Sequence, residues 1–143
     1  MTGALCKRDV ANYVLAGKAT VTVVSKDGAR RYTYLVKKSR DHHHTYFVNL
    51  LVGPDNTKDY RYIGVYFSDD KKFHVTKQYR DVHTHSWPTY LRMAKHFFQV
   101  LDDPSDEFTV YHSGKCGRCG RKLTTPESIS RGLGPECCKL GGY

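Results

Sequence analysis

Apolar and polar positions follow two rhythms along the chain. From residue 19 to residue 77 the dominant spacing is two, the period of a half-buried strand. Residues 19–25 and 31–37 are rich in Val, Thr and Tyr and flank Ser25-Lys26-Asp27-Gly28-Ala29-Arg30, whose Asp-Gly pair is a strong hairpin signal. Tyr32, Tyr34 and Val36 alternate on one face of the second strand. Residues 45–52 form a third, with Tyr46, Val48, Leu50 and Val52 on one face and Phe47 and Leu51 on the other. Apolar residues on both faces predict a central strand. Gly53-Pro54-Asp55-Asn56 is a turn by composition. A fourth strand, 60–67, puts Ile63, Val65 and Phe67 on one face and Tyr60, Tyr62 and Tyr66 on the other. Asp69 to Lys72 turns the chain into a short fifth strand, 73–77. Each connection is short, so neighbouring strands should pair antiparallel.

The second rhythm is helical. Residues 4–16 predict a short helix ending at Gly17, with a ragged stripe of Leu5, Val10, Val14 and Leu15. A longer helix opens at Ser86 as N-cap, with Pro88 tolerated in the first turn. Trp87, Tyr90, Leu91, Ala94, Phe97, Phe98 and Leu101 fall at i, i+3, i+4, i+7 along one face, an aromatic stripe suited to covering a sheet. Asp102-Asp103-Pro104 stops this helix, residues 104–108 read as a linker, and 108–111 as one more strand. The predicted fold is α+β: an antiparallel sheet of about five strands, one long amphipathic helix on it, and a C-terminal treble-clef-like zinc knuckle. Residues 1–104 form the sheet domain and 105–143 the metal module.

Composition narrows the field. A chain of 143 residues is long enough to bury roughly two thirds of its unfolded surface. With 39% hydrophobic and 13% aromatic residues, it is too apolar for a disordered tail. No apolar run approaches the length of a membrane span, so no membrane partner is expected. Lys7, Arg8 and Asp9 interrupt the stretch where a secretion signal needs apolar residues, which points to the cytoplasm. Lys and Arg number 23 against 14 Asp and Glu, a formal charge of +9, and the pI lies near 9.4. Such a balance favours an anionic partner, nucleic acid first.

Five cysteines, four of them clustered near the C-terminus, make a poor disulfide framework. Cys6 stands apart and suits a small core position. Cys116-x2-Cys119 has the spacing of a zinc knuckle, and Gly117 and Gly120 permit its tight turn. Further on, Gly132-Leu133-Gly134-Pro135 opens a terminal helix, and Cys137 falls at its start, where the helix dipole favours a thiolate. A knuckle plus a ligand at a helix N-terminus is a treble-clef arrangement. A thioredoxin-like redox pair needs an alternating β/α chain that this sequence lacks. The fourth Zn2+ ligand stays open between Cys138, adjacent to Cys137 and pointing about 100° away on an ideal helix, His112, and a water or other oxygen.

The run Gly114-Lys115-Cys116-Gly117-Arg118-Cys119-Gly120-Arg121-Lys122-Leu123-Thr124, followed by Pro126-Glu127-Ser128-Ile129 and Arg131-Gly132-Leu133-Gly134-Pro135-Glu136-Cys137, resembles a family of small zinc-finger-like modules of unknown function. These occur in proteins of phages, plasmids and actinobacterial-type genomes. Members commonly carry Ala where Cys138 stands, and His112 is not part of their motif. Gly53-Pro54-Asp55-Asn56 with Asp59-Tyr60 resembles the sheet domain that often precedes the module. The resemblance implies a zinc module and phage ancestry, and it supplies no activity.

Other constellations carry less. His42-His43-His44 suits a solvated loop between strands. His83-x-His85, with His74 and Asp81, lacks the defined geometry of a second metal site. None of the nucleophile-elbow, phosphate-loop, zincin or deaminase signatures is present, so no enzyme and no small-molecule substrate is inferred. The tyrosines are more informative. Tyr32, Tyr34, Tyr46, Tyr60, Tyr62 and Tyr66 recur at period two, accompanied by Arg30, Arg31, Lys37 and Lys38 at strand ends. Such a face either stacks the bases of single-stranded nucleic acid or lies beneath the long helix as core. The expected function is a non-enzymatic, zinc-stabilised nucleic-acid-binding accessory protein, with Arg118, Arg121, Lys122, Arg131 and Tyr62 on the binding surface. The competing expectation is an interaction module that binds and inhibits a host protein or defence system.

Overall fold

In a computed structural model, the protein is described over residues 3–5, 7–54, 58–101 and 108–112, with the backbone alone given for residues 3, 4, 7 and 8. The elements run β1 (Gly3–Ala4), α1 (Lys7–Val14), β2 (Lys18–Ser25), β3 (Arg31–Lys38), β4 (Thr45–Leu51), β5 (Tyr60–Phe67), β6 (Lys72–Val75), α2 (Thr89–Gln99) and β7 (Phe108–His112). Two 3₁₀ turns, Lys77–Tyr79 and Thr84–Ser86, lie between β6 and α2. All strands join one sheet in the order β1-β7-β2-β3-β4-β5-β6, and every pairing is antiparallel.

The α+β class and antiparallel sheet agree with the sequence pattern, but among the described residues the sheet has seven strands in place of about five. β2 to β6 form the expected meander. β7 enters the sheet between β1 and β2, on the module side of the expected 104/105 division. The two-residue β1 takes in Ala4, where the pattern began the N-terminal helix, and that helix begins only at Lys7.

Local chemistry explains the joints. In the β2–β3 hairpin Gly28 has φ +75°, a conformation open to glycine at little cost. The Asp27 carboxylate accepts from Ser25 Oγ at 2.6 Å and from the Ala29 N–H at 2.9 Å. The Ser25 hydrogen bond and the Ala29 amide hold Asp27 below its usual carboxylate range. At the other end of the chain of elements, α2 starts later than expected. Ser86 closes a 3₁₀ turn instead of capping the helix, and Pro88 takes the N-cap position. The proline ring disfavours helical backbone at the residue before it. Trp87 is accordingly extended, at φ −70° and ψ 152°; Pro88 is extended as well, at φ −55° and ψ 151°, and the helix begins at Thr89.

The main core cluster lies on one side of the sheet; Leu35, buried on the other side, stands outside it. Ala19, Val21, Val23, Tyr34, Val36, Tyr46, Val48, Leu50 and Tyr66 face Val10, Tyr13 and Val14 of α1 and Leu91, Met93, Ala94, Phe97 and Phe98 of α2. Each fully buried Leu, Met or Phe contributes about 1.5–3 kcal/mol, so α2 is held by its apolar face.

Candidate functional site

The six tyrosines, read as either a stacking face or core beneath the long helix, are divided between the two sides of the sheet. Tyr34 is fully buried, its hydroxyl donating to the Tyr90 carbonyl at 2.9 Å. Burial pushes its phenol far above the ordinary tyrosine range. Tyr46 donates to the Leu15 carbonyl at 3.2 Å, and Tyr66 meets the Phe98 ring at 4.9 Å between centroids. Tyr32 is half-buried against the core and meets Tyr90 edge-on at 6.4 Å. Tyr60 is half-buried, whereas Tyr62 is 48% exposed. Each of the two readings thus holds for part of the set: the helices cover Tyr34, Tyr46 and Tyr66 as core, and Tyr62 is presented on the opposite face.

A β-bulge causes the division. Val48 pairs with Gly64 but the next residue, Asn49, pairs with Tyr62, which leaves Ile63 as an extra residue in β5. One inserted residue reverses the in-out alternation on either side of it. Ile63 and Tyr66, expected on opposite faces, both enter the core, at 2% and 3% exposure. Gly64 makes room for this. A Cβ built there would lie 2.5 Å from the Phe73 ring and 2.6 Å from the His74 carbonyl oxygen.

The second face of the sheet carries no described helix. One row crosses it by direct strand pairing: Lys18 with Lys37, Lys37 with Phe47, Phe47 with Val65, and Val65 with His74. A second row runs from Thr20 through Leu35 and Asn49 to Tyr62. Phe47 is 39% exposed and meets the Tyr62 ring edge-on at 6.2 Å. Lys18, Lys37 and His74 are exposed, and the His74 ring meets Phe67 at 5.3 Å. The face thus offers two solvent-accessible aromatic rings beside two ammonium groups. Phe47 and Lys37 were not singled out as a pair by the sequence pattern, which treated Phe47 as the second apolar face of a central strand. The available signal was Gly64, since a lone glycine inside a strand pattern marks a bulge.

Cys116, Cys119, Cys137, Cys138, Arg118, Arg121, Lys122, Arg131 and Cys6 lie outside the described residues. His112, the alternative fourth ligand, is described and stands in β7, 2% exposed, with its ring 5.7 Å from that of Tyr13. It occupies the helix-covered side beside Val110. His43 and His44 lie near each other in an exposed turn, where His44 has φ +64°. The His83 and His85 rings are 4.2 Å apart. Among the described residues, no group of three or more His, Cys, Asp or Glu side chains is placed to hold a metal. No described helix is long and apolar enough to cross a membrane.

A family model described as "Family of unknown function (DUF6011)" matches residues 106–140. That segment contains the cysteine motif and, at its start, β7. No curated protein and no solved structure matches the chain.

Proposed function

We propose that this protein is a non-enzymatic, zinc-stabilised accessory protein that binds single-stranded nucleic acid. The observation that carries the reading is the sheet face that no described helix covers, on which Phe47 and Tyr62 stand exposed next to Lys18 and Lys37. Aromatic rings stack on bases without demanding a sequence, and lysines follow the phosphate backbone. A chain of charge +9 adds a long-range attraction for any polyanion.

Zinc enters through the spacing of Cys116, Cys119 and Cys137, with Cys138 or His112 as fourth ligand; the family match spans the segment that contains the cysteines. Thiolates at that spacing suit a structural Zn2+ ion, which would fix the loop bearing Arg118, Arg121 and Lys122 and reduce the entropy lost on binding. Arg131 adds to the same basic segment. Phage ancestry is part of this reading and rests on the resemblance of that segment. Metal analysis of freshly purified protein should give one zinc per chain; intact thiols with no zinc would remove the metal from the reading.

Titration of the full chain with single- and double-stranded DNA and RNA at several salt concentrations tests the binding. Single strands should bind more tightly, and log affinity should fall steeply with log salt. Replacing Arg118, Arg121 and Lys122 by Gln should lower that slope by about 2 to 3. No binding at low salt would discard the nucleic-acid reading and leave a protein partner, whose apolar interface would be far less sensitive to salt.

A further inference from the structure

Where the edge strand β6 meets α2 there is a cavity of about 430 Å³, and its described lining includes no Asp or Glu. Four cationic residues line it, from three separate segments: Lys71 and Lys72 at the start of β6, Arg80 from the end of the Lys77–Tyr79 turn, and Lys95 from α2. Its apolar wall is made by Phe73 and Trp87, both buried. We infer that this cavity is a phosphate-binding site.

The geometry favours an anion that makes several hydrogen bonds. Trp87 is fixed by its indole N–H, which donates to the Val82 carbonyl at 2.7 Å. The Lys95 ammonium sits 5.3 Å from the centre of that ring, a cation–π distance. Lys95 is thereby held at the cavity, so less side-chain freedom is lost when an anion arrives. Arg80 supplies a planar fork that matches two phosphate oxygens, and Lys72 adds a point charge. Like charges gathered on a concave, low-dielectric wall raise the local potential for an anion. The volume falls in the range of about 300–1,000 Å³ typical of small-ligand sites, enough for a phosphate with its substituent. The buried indole already faces Lys95, so recognition rests on the phosphate and not on stacking of a base. The source of that phosphate is either a free phosphorylated compound or the backbone of a nucleic acid strand. The latter would extend the open sheet face, since His74 lies in the row with Phe47 and also lines the cavity.

Inorganic pyrophosphate is the probe, and Trp87, the chain's single tryptophan, is the reporter. Titration of the full chain at constant ionic strength should give a saturable change in tryptophan fluorescence. Lys72→Gln with Arg80→Gln, neither of which carries the contact to the indole, should weaken binding by at least about tenfold. The equally charged variant Lys26→Gln with Arg40→Gln should bind as the parent does, and circular dichroism should be the same in all three proteins. No saturable response up to about 10 mM pyrophosphate, a Kd weaker than any useful small-anion affinity, would overturn the site. Equal weakening in both double variants would overturn it too, because net charge alone would then explain the binding. With a single-stranded oligonucleotide present, displacement by pyrophosphate assigns the cavity to a backbone phosphate, and independent binding of both assigns it to a free phosphorylated ligand. The pyrophosphate result stands or falls separately from the nucleic-acid reading.

Discussion

The two faces of the sheet are built from similar residues and put them to different uses. On the helix-covered face, Tyr34, Tyr46 and Tyr66 spend their hydroxyls and rings inside the molecule: Tyr34 and Tyr46 donate to carbonyls, and Tyr66 meets Phe98. On the other face, Phe47 and Tyr62 touch one another but remain 39% and 48% exposed. An aromatic residue at period two therefore identifies a strand without identifying its role. Burial by a particular helix decides whether the ring stabilises the fold or stays available to a partner.

Truncation should separate the faces most sharply. Phe97→Ala, at a fully buried position of α2, should destabilise the protein by about 3–5 kcal/mol in denaturant unfolding. Phe47→Ala on the open face should cost far less, within about 1 kcal/mol. Equal costs would mean that something covers Phe47 in solution and would end the comparison.

The bulge that separates the faces is open to a direct test. Gly64→Ala should cost about 1–3 kcal/mol by overpacking, more if the β6 backbone cannot shift, because the added methyl meets both the Phe73 ring and the His74 carbonyl. A neutral result would show that β5 and β6 separate easily.

Binding should sharpen the contrast where stability does not. Tyr62→Ala should weaken single-strand affinity by about 1–3 kcal/mol with little change in salt slope, since stacking releases few ions. Lys18→Gln with Lys37→Gln should lower the slope by about 1–2. A Tyr62 variant that changes the slope, or a lysine variant that does not, would separate these residues from the binding surface.

The smallest expected effect is on pH dependence. Tyr34 ionises in the unfolded chain near pH 10, whereas burial raises its folded value. A raised folded pKa gives stability that is fully present below the unfolded value and is lost as pH rises above it. Stability should therefore decline above about pH 10, and phenolate absorbance should reveal a tyrosine that ionises only with unfolding. Tyr34→Phe should reduce that decline. Tyr90 is also raised, by burial and by its hydrogen bond with Tyr79, against the lowering influence of the Arg61 guanidinium, which bonds its hydroxyl at 2.7 Å.

Much of the meander was legible because its signals are local. The Asp27-Gly28 turn, the Val and Thr alternation of β2, and the stripe from Leu91 to Phe98 each report on a few neighbouring residues. The late start of α2 was legible in principle, since Pro88 restricts Trp87 whatever the stripe suggests. The assignment of Tyr62 and Tyr66 to one face failed because a bulge resets alternation, and Gly64 was its only trace. β1 could not be read from two residues whose strand character comes from pairing with β7. The open face was half-visible: Tyr62 was selected, but its neighbour Phe47 depends on the pairing of β4 with β5. The cavity was not legible at all, because Lys72, Arg80 and Lys95 come from segments with no common sequence pattern.

The position of β7 affects how the protein can be made and cut. β2 finds one neighbour early, across the hairpin to β3, but its other neighbour arrives only when Phe108–His112 has been synthesised. Pairings so distant in sequence are slow to form. Until then β2 is an open sheet edge, a row of unpaired amides on a strand rich in valine, and edges of that kind pair with other chains. A chain stopped after residue 104 would keep that edge permanently and would also leave β1 without its sheet partner. Such a fragment should aggregate where one ending after residue 112 stays dispersed.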